Sequence, residues 1–227
     1  MCGIVGYVGK RNAQNVLLDG LEKLEYRGYD SAGVALALEG GIRVVKSKGR
    51  LAELRKKLEL QALAESRCGI GHTRWATHGV PNDVNAHPHR QGRVTLVHNG
   101  IIENYRALRE RLEREGYHFL TQTDTEIAAA LLDHHMKLHE SPVAAIHAAT
   151  AEMEGAYGFC MLLEGEPDTV YGIRRGSPLI AAKDETGSYV ASDVPAIIEY
   201  TRQYYLLEEE EVVVAHYGEL RFYAPDG

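Results

Sequence analysis

The pattern of apolar and polar residues predicts a chain of mixed strands and helices that ends in a run of strands. Apolar residues at helical spacing predict five main helices, near 11–25, 51–62, 105–112, 123–138 and 141–155, and a short helix at 195–200. Apolar runs between turn residues predict strands at 4–8, 33–38, 42–45, 68–72, 94–97, 156–163, 169–174, 178–183 and 188–191, and a hairpin of 211–216 with 220–223. This order favours an α+β fold in which helices cover antiparallel sheets.

Two polar segments interrupt this pattern and are candidates for function. A long polar loop is predicted from Arg74 to about Gln91, and long loops in compact domains often carry function. The strand at 94–97 then runs into His98-Asn99-Gly100. Asn-Gly is a common turn, and a turn is the favoured interpretation of this motif in isolation. The alternative is an oxyanion hole, because an asparagine side-chain amide and a glycine N–H can donate to one developing oxyanion.

Composition and charge narrow the class of protein. The 227 residues suit one large domain or two small ones, and no linker divides them. The net charge of −7, without a basic block, argues against a nucleic-acid partner. No apolar run can span a membrane and no signal-peptide pattern is present, so we expect a cytoplasmic protein without a membrane partner. Cys2, Cys68 and Cys160 are odd in number and widely spaced, which fits free thiols in a reducing compartment.

Cys2 directly follows the initiator Met1. If Met1 is removed, the Cys2 thiol lies beside a free α-amine, which is the arrangement of N-terminal nucleophile enzymes. The reference pKa is about 7.7–8.0 for an α-amine and about 8.5 for a thiol, so a proton can pass between them near neutral pH. A chance cysteine is the simpler interpretation in isolation. The following strand favours the functional one, because it places the thiol at the edge of a sheet.

Arg74 and Asp124 are candidate ligands for an amino acid. Taken separately, an arginine in a loop and an aspartate at a helix start are a surface charge and a capping residue. Taken together, the arginine can grip an α-carboxylate through two hydrogen bonds while the aspartate accepts from an α-ammonium. The sequence alone does not bring the two side chains to the same place.

Five histidines suggest a metal site at first sight: His72, His78, His87, His89 and His98. Their spacings do not fit a zinc pattern and no cysteine pair accompanies them, so we expect no metal. Histidines of the core or of a loop, held by hydrogen bonds, are the favoured interpretation. The chain also contains no phosphate-binding loop and no dinucleotide fingerprint, so no cofactor is expected.

Six segments together resemble the class II (N-terminal nucleophile) glutamine amidotransferases: CGIVGYVG at 2–9, EYRGYDSAG at 25–33, GIGHTRWATHG at 69–79, NAHPH at 85–89, HNGIIENY at 98–105 and TDTE at 123–126. The resemblance runs from residue 2 to the C-terminal hairpin. The sequences of the YRGYD and TRWATHG segments are similar to those of the glucosamine-6-phosphate synthase branch. Amidophosphoribosyltransferases share the cysteine, the HNG and the Arg-Gly-Xaa-Asp-Ser-Ala-Gly element.

This resemblance implies a four-layer αββα sandwich of two antiparallel sheets, and a role for each matching residue. Cys2 would be the nucleophile with its own α-amine as base, and Asn99 and Gly100 would form the oxyanion hole. The substrate-binding residues would include Arg74 for the carboxylate of L-glutamine and Asp124 for its ammonium group. The others would be Thr77 and His78, which line the glutamine site, Trp75 on a loop that closes over the substrate, and Arg27 as a support.

The resemblance also implies partners and limits. In this family two sugar-isomerase domains follow the glutaminase domain, bind fructose 6-phosphate and supply the main dimer contacts. The chain ends at Gly227, so we expect residues 1–227 to be one glutaminase domain without them. It would hydrolyse glutamine without making glucosamine 6-phosphate, and would form a homodimer only as the full-length protein. Two alternatives stay open: a non-catalytic glutamine-binding module if Met1 is retained, and the glutaminase domain of another amidotransferase.

Overall fold

The computed structural model describes residues 2–75 and 80–225, in which thirteen strands form two sheets. The strands are Gly3–Gly9 (β1), Ser31–Leu38 (β2), Gly41–Lys48 (β3), Cys68–Arg74 (β4), His89–Gln91 (β5), Val94–Ile102 (β6), Gly155–Leu163 (β7), Val170–Arg175 (β8), Ile180–Lys183 (β9), Gly187–Ala191 (β10), Tyr204–Leu206 (β11), Val212–His216 (β12) and Glu219–Tyr223 (β13). The first sheet has the order β11-β9-β10-β1-β4-β2-β3, and the second has the order β13-β12-β8-β7-β6-β5. Every named pair of strands is antiparallel.

Helices cover the outer face of each sheet. They are Ala13–Leu24 (α1), Leu51–Gln61 (α2), Tyr105–Arg114 (α3), Asp124–Leu138 (α4) and Pro142–Ala151 (α5), with short 3-10 helices at Glu25–Arg27 and Val194–Ala196. One apolar core joins α1 and α2 to the first sheet, and another joins α3, α4 and α5 to the second. A third core lies between the two sheets. The predicted four-layer αββα sandwich is therefore confirmed.

Strand β1 occupies the middle of the first sheet, between β10 and β4. Its seven residues are all buried, because helix α1 covers one face and the second sheet covers the other. Cys2 precedes this strand directly. The nucleophile candidate is therefore held where a central strand of the sheet begins.

The structure corrects the predicted loop and the predicted turn. Arg74 pairs with Ser31 as the last residue of β4, and β5 begins at His89, so the loop is shorter than the predicted 74–91. Asn99 and Gly100 lie within β6, where they pair with residues of β7. The interpretation of Asn-Gly as a turn was therefore wrong. Pairing with a neighbouring strand overrides the local preference of the dipeptide.

Smaller differences concern the ends of elements. Helix α5 ends at Ala151, and Gly155 begins β7 with a φ of +100°. The helix predicted at 195–200 is reduced to the 3-10 turn of Val194–Ala196. Strand β11 was not predicted, because all three of its residues are exposed and no apolar alternation marks it.

The start of helix α4 is built by a modified capping arrangement. Thr123 is the N-cap, and its side chain accepts a hydrogen bond from the Glu126 N–H, as the TDTE segment predicts. The Glu126 carboxylate does not accept from the backbone N–H of Thr123, as it would in a standard capping box. It accepts instead from the backbone N–H groups of Leu120 and Thr121. This ties the preceding loop to the helix and fixes the position of Asp124, the first helical residue.

None of the helices within residues 2–75 and 80–225 combines the length and the apolar character needed to cross a lipid bilayer.

Candidate active site

A cavity of about 280 Å³ opens where β1 begins and where β4 and β6 end. Its lining contains every described residue that the sequence nominated for the site: Cys2, Arg27, Arg74, Trp75, Asn99, Gly100 and Asp124. Thr77 and His78, the other two nominated residues, lie outside the described residues. Side chains that are as much as 122 positions apart in sequence thus share one wall, because the two sheets bring their strand ends together.

The Cys2 thiol lies against the backbone at the end of β4. Its Sγ accepts a hydrogen bond from the backbone N–H of Trp75 at 3.1 Å. Burial raises the pKa of the thiol above its ordinary value, while the Trp75 N–H and the charge of Arg74 offset part of that rise. Cys2 is therefore a partly buried thiol that needs a nearby base to become a thiolate at neutral pH.

Gly28 allows this arrangement by letting two backbone segments come close. A Cβ at this position would lie 2.8 Å from the carbonyl carbon of Arg74 and 2.9 Å from the Trp75 nitrogen. Such a contact is too short for any side chain, so only glycine fits at this point of the YRGYD segment. The close approach holds the peptide whose N–H contacts the Cys2 thiol.

Asn99 and Gly100 reach the cavity from the second sheet. The Asn99 side-chain nitrogen donates to the carbonyl oxygen of Cys2 at 2.9 Å. Gly100 has a φ of +124°, and a Cβ there would collide with the carbonyl oxygen of Ala156. Glycine is therefore required at this position. Strand β6 therefore presents the Asn99 side-chain amide and the Gly100 backbone next to the nucleophile candidate.

Arg74 and Asp124 provide opposite charges in the same cavity. The Arg74 side chain is only 4% exposed and Asp124 only 7% exposed. Burial lowers the pKa of the Arg74 guanidinium, and the charges of Asp30 and Asp124 oppose this change. One oxygen of Asp124, Oδ2, accepts from the Ile102 N–H at 2.8 Å. A carboxylate has further acceptor sites, so Asp124 retains the capacity to bind an ammonium group.

Arg27 is held by an acidic residue of the neighbouring segment. Its Nη1 donates to Oδ2 of Asp193 at 2.6 Å, and the arginine side chain is 7% exposed. Asp193 also caps the 3-10 turn that follows it, by accepting from the Val194 N–H. Trp75, by contrast, is 50% exposed, and its ring packs edge-on against Tyr29 with centroids 5.4 Å apart. The cavity thus has buried charged side chains in its wall and an exposed aromatic side chain at its rim.

Comparison with known proteins identifies the family. A family model described as a glutamine amidotransferase domain matches residues 72–199. The chain belongs to this family. It is 48% identical over 229 residues to a glutamine–fructose-6-phosphate aminotransferase (isomerizing) of Clostridium acetobutylicum, a match that covers 100% of the chain and 37% of that protein. A protein of the same name from Pyrococcus horikoshii is 44% identical over 213 residues, covering 93% of the chain and 36% of that protein.

Solved structures agree with this amidotransferase fold. The chain superposes with a TM-score of 0.85 on a glutamine phosphoribosylpyrophosphate amidotransferase from B. subtilis, at 24% identity, covering 99% of the chain and 49% of that chain. A glutamine aminotransferase class-II domain protein from Silicibacter pomeroyi gives a TM-score of 0.68 at 14% identity, covering 98% of the chain and 99% of that chain. The predicted relation to class II amidotransferases is confirmed. The chain spans little more than a third of the Clostridium relative's length.

Several residues of this amidotransferase domain that touch the cavity were missed from the sequence. They are His87, His98, Ile101, Thr123, Thr125, Ser177 and Pro178. Thr125 links two of them, because its hydroxyl lies 2.9 Å from Nε2 of His87 and 3.0 Å from Nδ1 of His98. Only the membership of His87 in the NAHPH segment and of His98 in the HNG segment could have indicated their place. Ser177 and Pro178 carry no signal in sequence.

The buried histidines are core residues with hydrogen-bond partners, which is the interpretation that the sequence favours. His72, His87, His89 and His98 are each less than 7% exposed. Burial lowers the pKa of His72 to about 3, that of His98 below its ordinary value, and those of His87 and His89 well below it. Within the described residues, no cluster of three or more histidine, cysteine or acidic side chains is arranged to hold a metal ion.

Because these four histidines are buried and have lowered pKa values, we expect the domain to lose stability in mild acid. In the unfolded chain each takes up a proton near pH 6.5, whereas in the folded chain it stays neutral. Unfolding therefore takes up protons, and the free energy of unfolding falls as the pH decreases from about 6.5 towards the folded pKa, which is about 3 for His72. Each such histidine contributes about 1.4 kcal/mol per pH unit in that window.

Urea denaturation between pH 7.5 and 5 measures this loss. The variant His89→Gln removes one of the buried imidazoles, so its stability should depend less steeply on pH. The matched control is His118→Gln, the same substitution at an exposed histidine. Equal slopes in the wild type and in His89→Gln would contradict the prediction.

Proposed function

We propose that this domain hydrolyses L-glutamine to glutamate and ammonia through a γ-glutamyl thioester on Cys2. One observation carries the proposal: Cys2, the Asn99-Gly100 pair and the charges of Arg74 and Asp124 line one cavity in a chain of the glutamine amidotransferase family. The cavity of about 280 Å³ is large enough for one amino acid. The substrate and the residue roles are inferred from this arrangement.

Arg74 and Asp124 would hold the backbone end of the substrate. A guanidinium binds a carboxylate through two parallel hydrogen bonds, and a carboxylate accepts from an ammonium group. Both side chains are buried, so these bonds form away from bulk water, where they are stronger than at an exposed site. The glutamine side-chain amide would then extend towards Cys2 and Asn99. Trp75, Thr77 and His78 are proposed to complete the substrate wall, with Arg27 as its support.

The reaction would proceed as acyl transfer in two halves. The Cys2 thiol passes its proton to its own α-amine, and the thiolate attacks the amide carbon of the substrate. The tetrahedral oxyanion is stabilised by the Asn99 side-chain N–H and the Gly100 N–H. The α-ammonium donates a proton to the leaving nitrogen of the substrate, which departs as ammonia. The γ-glutamyl group then remains on Cys2 as a thioester. Water, deprotonated by the same amine, attacks the thioester and releases glutamate and the free thiol.

In the full-length protein, the ammonia would serve glucosamine 6-phosphate synthesis from fructose 6-phosphate. The relatives of 44–48% identity that carry the name glutamine–fructose-6-phosphate aminotransferase support this assignment. The sugar-isomerase domains of the full-length chain would be its partners and would supply the dimer contacts, with residues 1–227 as one glutaminase domain. Free thiols at Cys2, Cys68 and Cys160 support a reducing, cytoplasmic setting.

The decisive experiment compares two forms of the domain that differ only at the N-terminus. Glutamine hydrolysis is measured on material whose intact mass is one methionine lighter than the full sequence, and on material that retains Met1. The processed form should turn over glutamine, and the unprocessed form should not, because its α-amine is bound in a peptide and cannot serve as base.

Each outcome distinguishes the proposal from its rivals. Equal turnover by both forms would contradict the role of the α-amine. Binding of glutamine without turnover in the processed form would favour a non-catalytic binding module.

A further inference from the structure

Four groups form a continuous chain of hydrogen bonds between the two sheets beneath the cavity. Nε2 of His72 lies 3.0 Å from the carbonyl oxygen of His98 and 3.1 Å from Oδ1 of Asn99. Nδ2 of Asn99 in turn donates to the carbonyl oxygen of Cys2 at 2.9 Å. His72 belongs to β4 of the first sheet, whereas Asn99 belongs to β6 of the second. This chain of hydrogen bonds therefore connects β4, which pairs with β1 behind Cys2, to β6, which carries the proposed oxyanion donor.

The two ends of this chain determine the direction of every hydrogen bond in it. Backbone carbonyl oxygens only accept, so His98 requires the proton of His72 to be on Nε2, and Cys2 requires a donor on the Asn99 side chain. These two requirements are independent of each other, and both are met by the same orientation of the Asn99 carboxamide. Nε2–H of His72 faces the amide oxygen of Asn99, and the amide nitrogen faces Cys2. A carboxamide turned the other way would lose both of its hydrogen bonds.

His72 is suited to act as a fixed donor. Its side chain is fully buried, and its ring lies 4.2 Å from that of His87. Among the described residues, Nδ1 of His72 has no hydrogen-bond partner. A second proton there would be an unpaired charge in the interior, which is costly. The imidazole therefore stays neutral, with its single proton directed at the two oxygens.

We propose that His72 is a positioning residue of the glutaminase site, which holds the Asn99 carboxamide so that its nitrogen faces the nucleophile. An amide nitrogen carries two hydrogens, and the one not bound by the Cys2 carbonyl is free to donate to the oxyanion. The role of His72 is exerted through Asn99 and requires no contact with the substrate. The inference therefore rests on the proposed function of Asn99 in the oxyanion hole.

Three substitutions at this position separate orientation from burial. His72→Gln retains an N–H donor, since the glutamine amide nitrogen is the same number of bonds from Cα as Nε2 of histidine. His72→Asn carries its nitrogen at the position of Nδ1 and does not reach Asn99, and His72→Leu has no donor. We expect kcat to fall about 10- to 100-fold in His72→Leu and His72→Asn, less than the full loss of an oxyanion donor. KM should stay close to that of the wild type, and His72→Gln should recover most of the activity.

The same substitution in an Asn99→Ala background provides the stringent control. If His72 acts only through Asn99, His72→Leu has no further effect on kcat once the carboxamide is gone. A purely structural defect would lower kcat by the same factor in both backgrounds, and that result would overturn the proposal. Wild-type kcat in His72→Asn would overturn it as well. If His72→Leu does not fold, the ratio of kcat between His72→Gln and His72→Asn decides the question alone.

Failure of this inference is distinguishable from failure of the proposed function. If Asn99→Ala keeps wild-type kcat, the oxyanion role itself is wrong. If Asn99→Ala is impaired and the His72 variants are not, only the positioning role is wrong. Nitrogen NMR of labelled histidine adds a readout independent of turnover: His72 should be the neutral Nε2–H tautomer at pH 7. The Nδ1–H tautomer would overturn the proposal.

Discussion

Replacing Cys2 by alanine is expected to abolish glutamine hydrolysis, with a loss in kcat on the order of 10⁶-fold, the scale seen when the nucleophile of a serine protease is removed. Cys2 supplies the only thiol among the described residues that line the cavity, and its Sγ accepts a hydrogen bond from the Trp75 N–H. Without it, no thioester can form. Initial rates of ammonia or glutamate release measure the effect. Ordinary turnover by Cys2→Ala would refute the assignment of the nucleophile.

The loss must be shown to be chemical and not a failure of binding or folding. Cys2→Ala retains Arg74 and Asp124, so glutamine should still raise its melting temperature, as expected for a ligand that binds the folded state. Cys68→Ala is the matched control, because that thiol is buried in the core between the sheets and should be dispensable for turnover. Under native conditions, iodoacetamide should add one group to the wild-type domain and none to Cys2→Ala.

The fold followed from the sequence wherever local pattern and tertiary context agree. The stripe of Leu51, Leu54 and Leu58 is buried as predicted, and Ser141 and Pro142 begin helix α5 as predicted. Asn99-Gly100 shows where such reasoning fails. The dipeptide favours a turn by its own preferences, but both of its residues pair with β7. No property of the dipeptide itself predicts that neighbour.

The site shows the same division between local chemistry and long-range geometry. The residue types at Cys2, Arg74 and Asp124 indicated what each can do, and resemblance to a family indicated that they act together. Their meeting in one cavity depends on the register of β1 with β4 and on the packing of two sheets. Register and sheet packing are set by the whole core and cannot be derived from any one motif.

His72 illustrates what the sequence could not supply. In the sequence, His72 is one of five histidines that suggest a metal site at first sight and are better interpreted as core or loop residues. Its partner set, a carbonyl of His98 and the amide of Asn99, exists only because β4 faces β6 across the inner core. The chemical importance of a buried polar residue is thus decided by which acceptors the fold places around it.

Replacing Asn99 by alanine is expected to lower kcat by about 10²- to 10³-fold, the scale for one oxyanion-hole donor. The amide nitrogen donates one hydrogen to the Cys2 carbonyl at 2.9 Å, and the proposed mechanism uses its second hydrogen for the oxyanion. The charge on the oxyanion appears in the transition state and is absent from bound glutamine, so the loss should fall on kcat and leave KM nearly unchanged. Folding should suffer little, because Nε2–H of His72 keeps the His98 carbonyl as acceptor.

A matched asparagine outside the cavity separates this effect from a general cost of losing an amide. Asn12 caps helix α1 by accepting from the Gln14 N–H, so Asn12→Ala should lower stability by about 1 kcal/mol without changing kcat. Asn99→Asp tests the donor itself, since an aspartate accepts from His72 and cannot donate to an oxyanion at neutral pH. It should be as impaired as Asn99→Ala. A variant in which KM rises and kcat is preserved would show instead that Asn99 binds glutamine in its ground state.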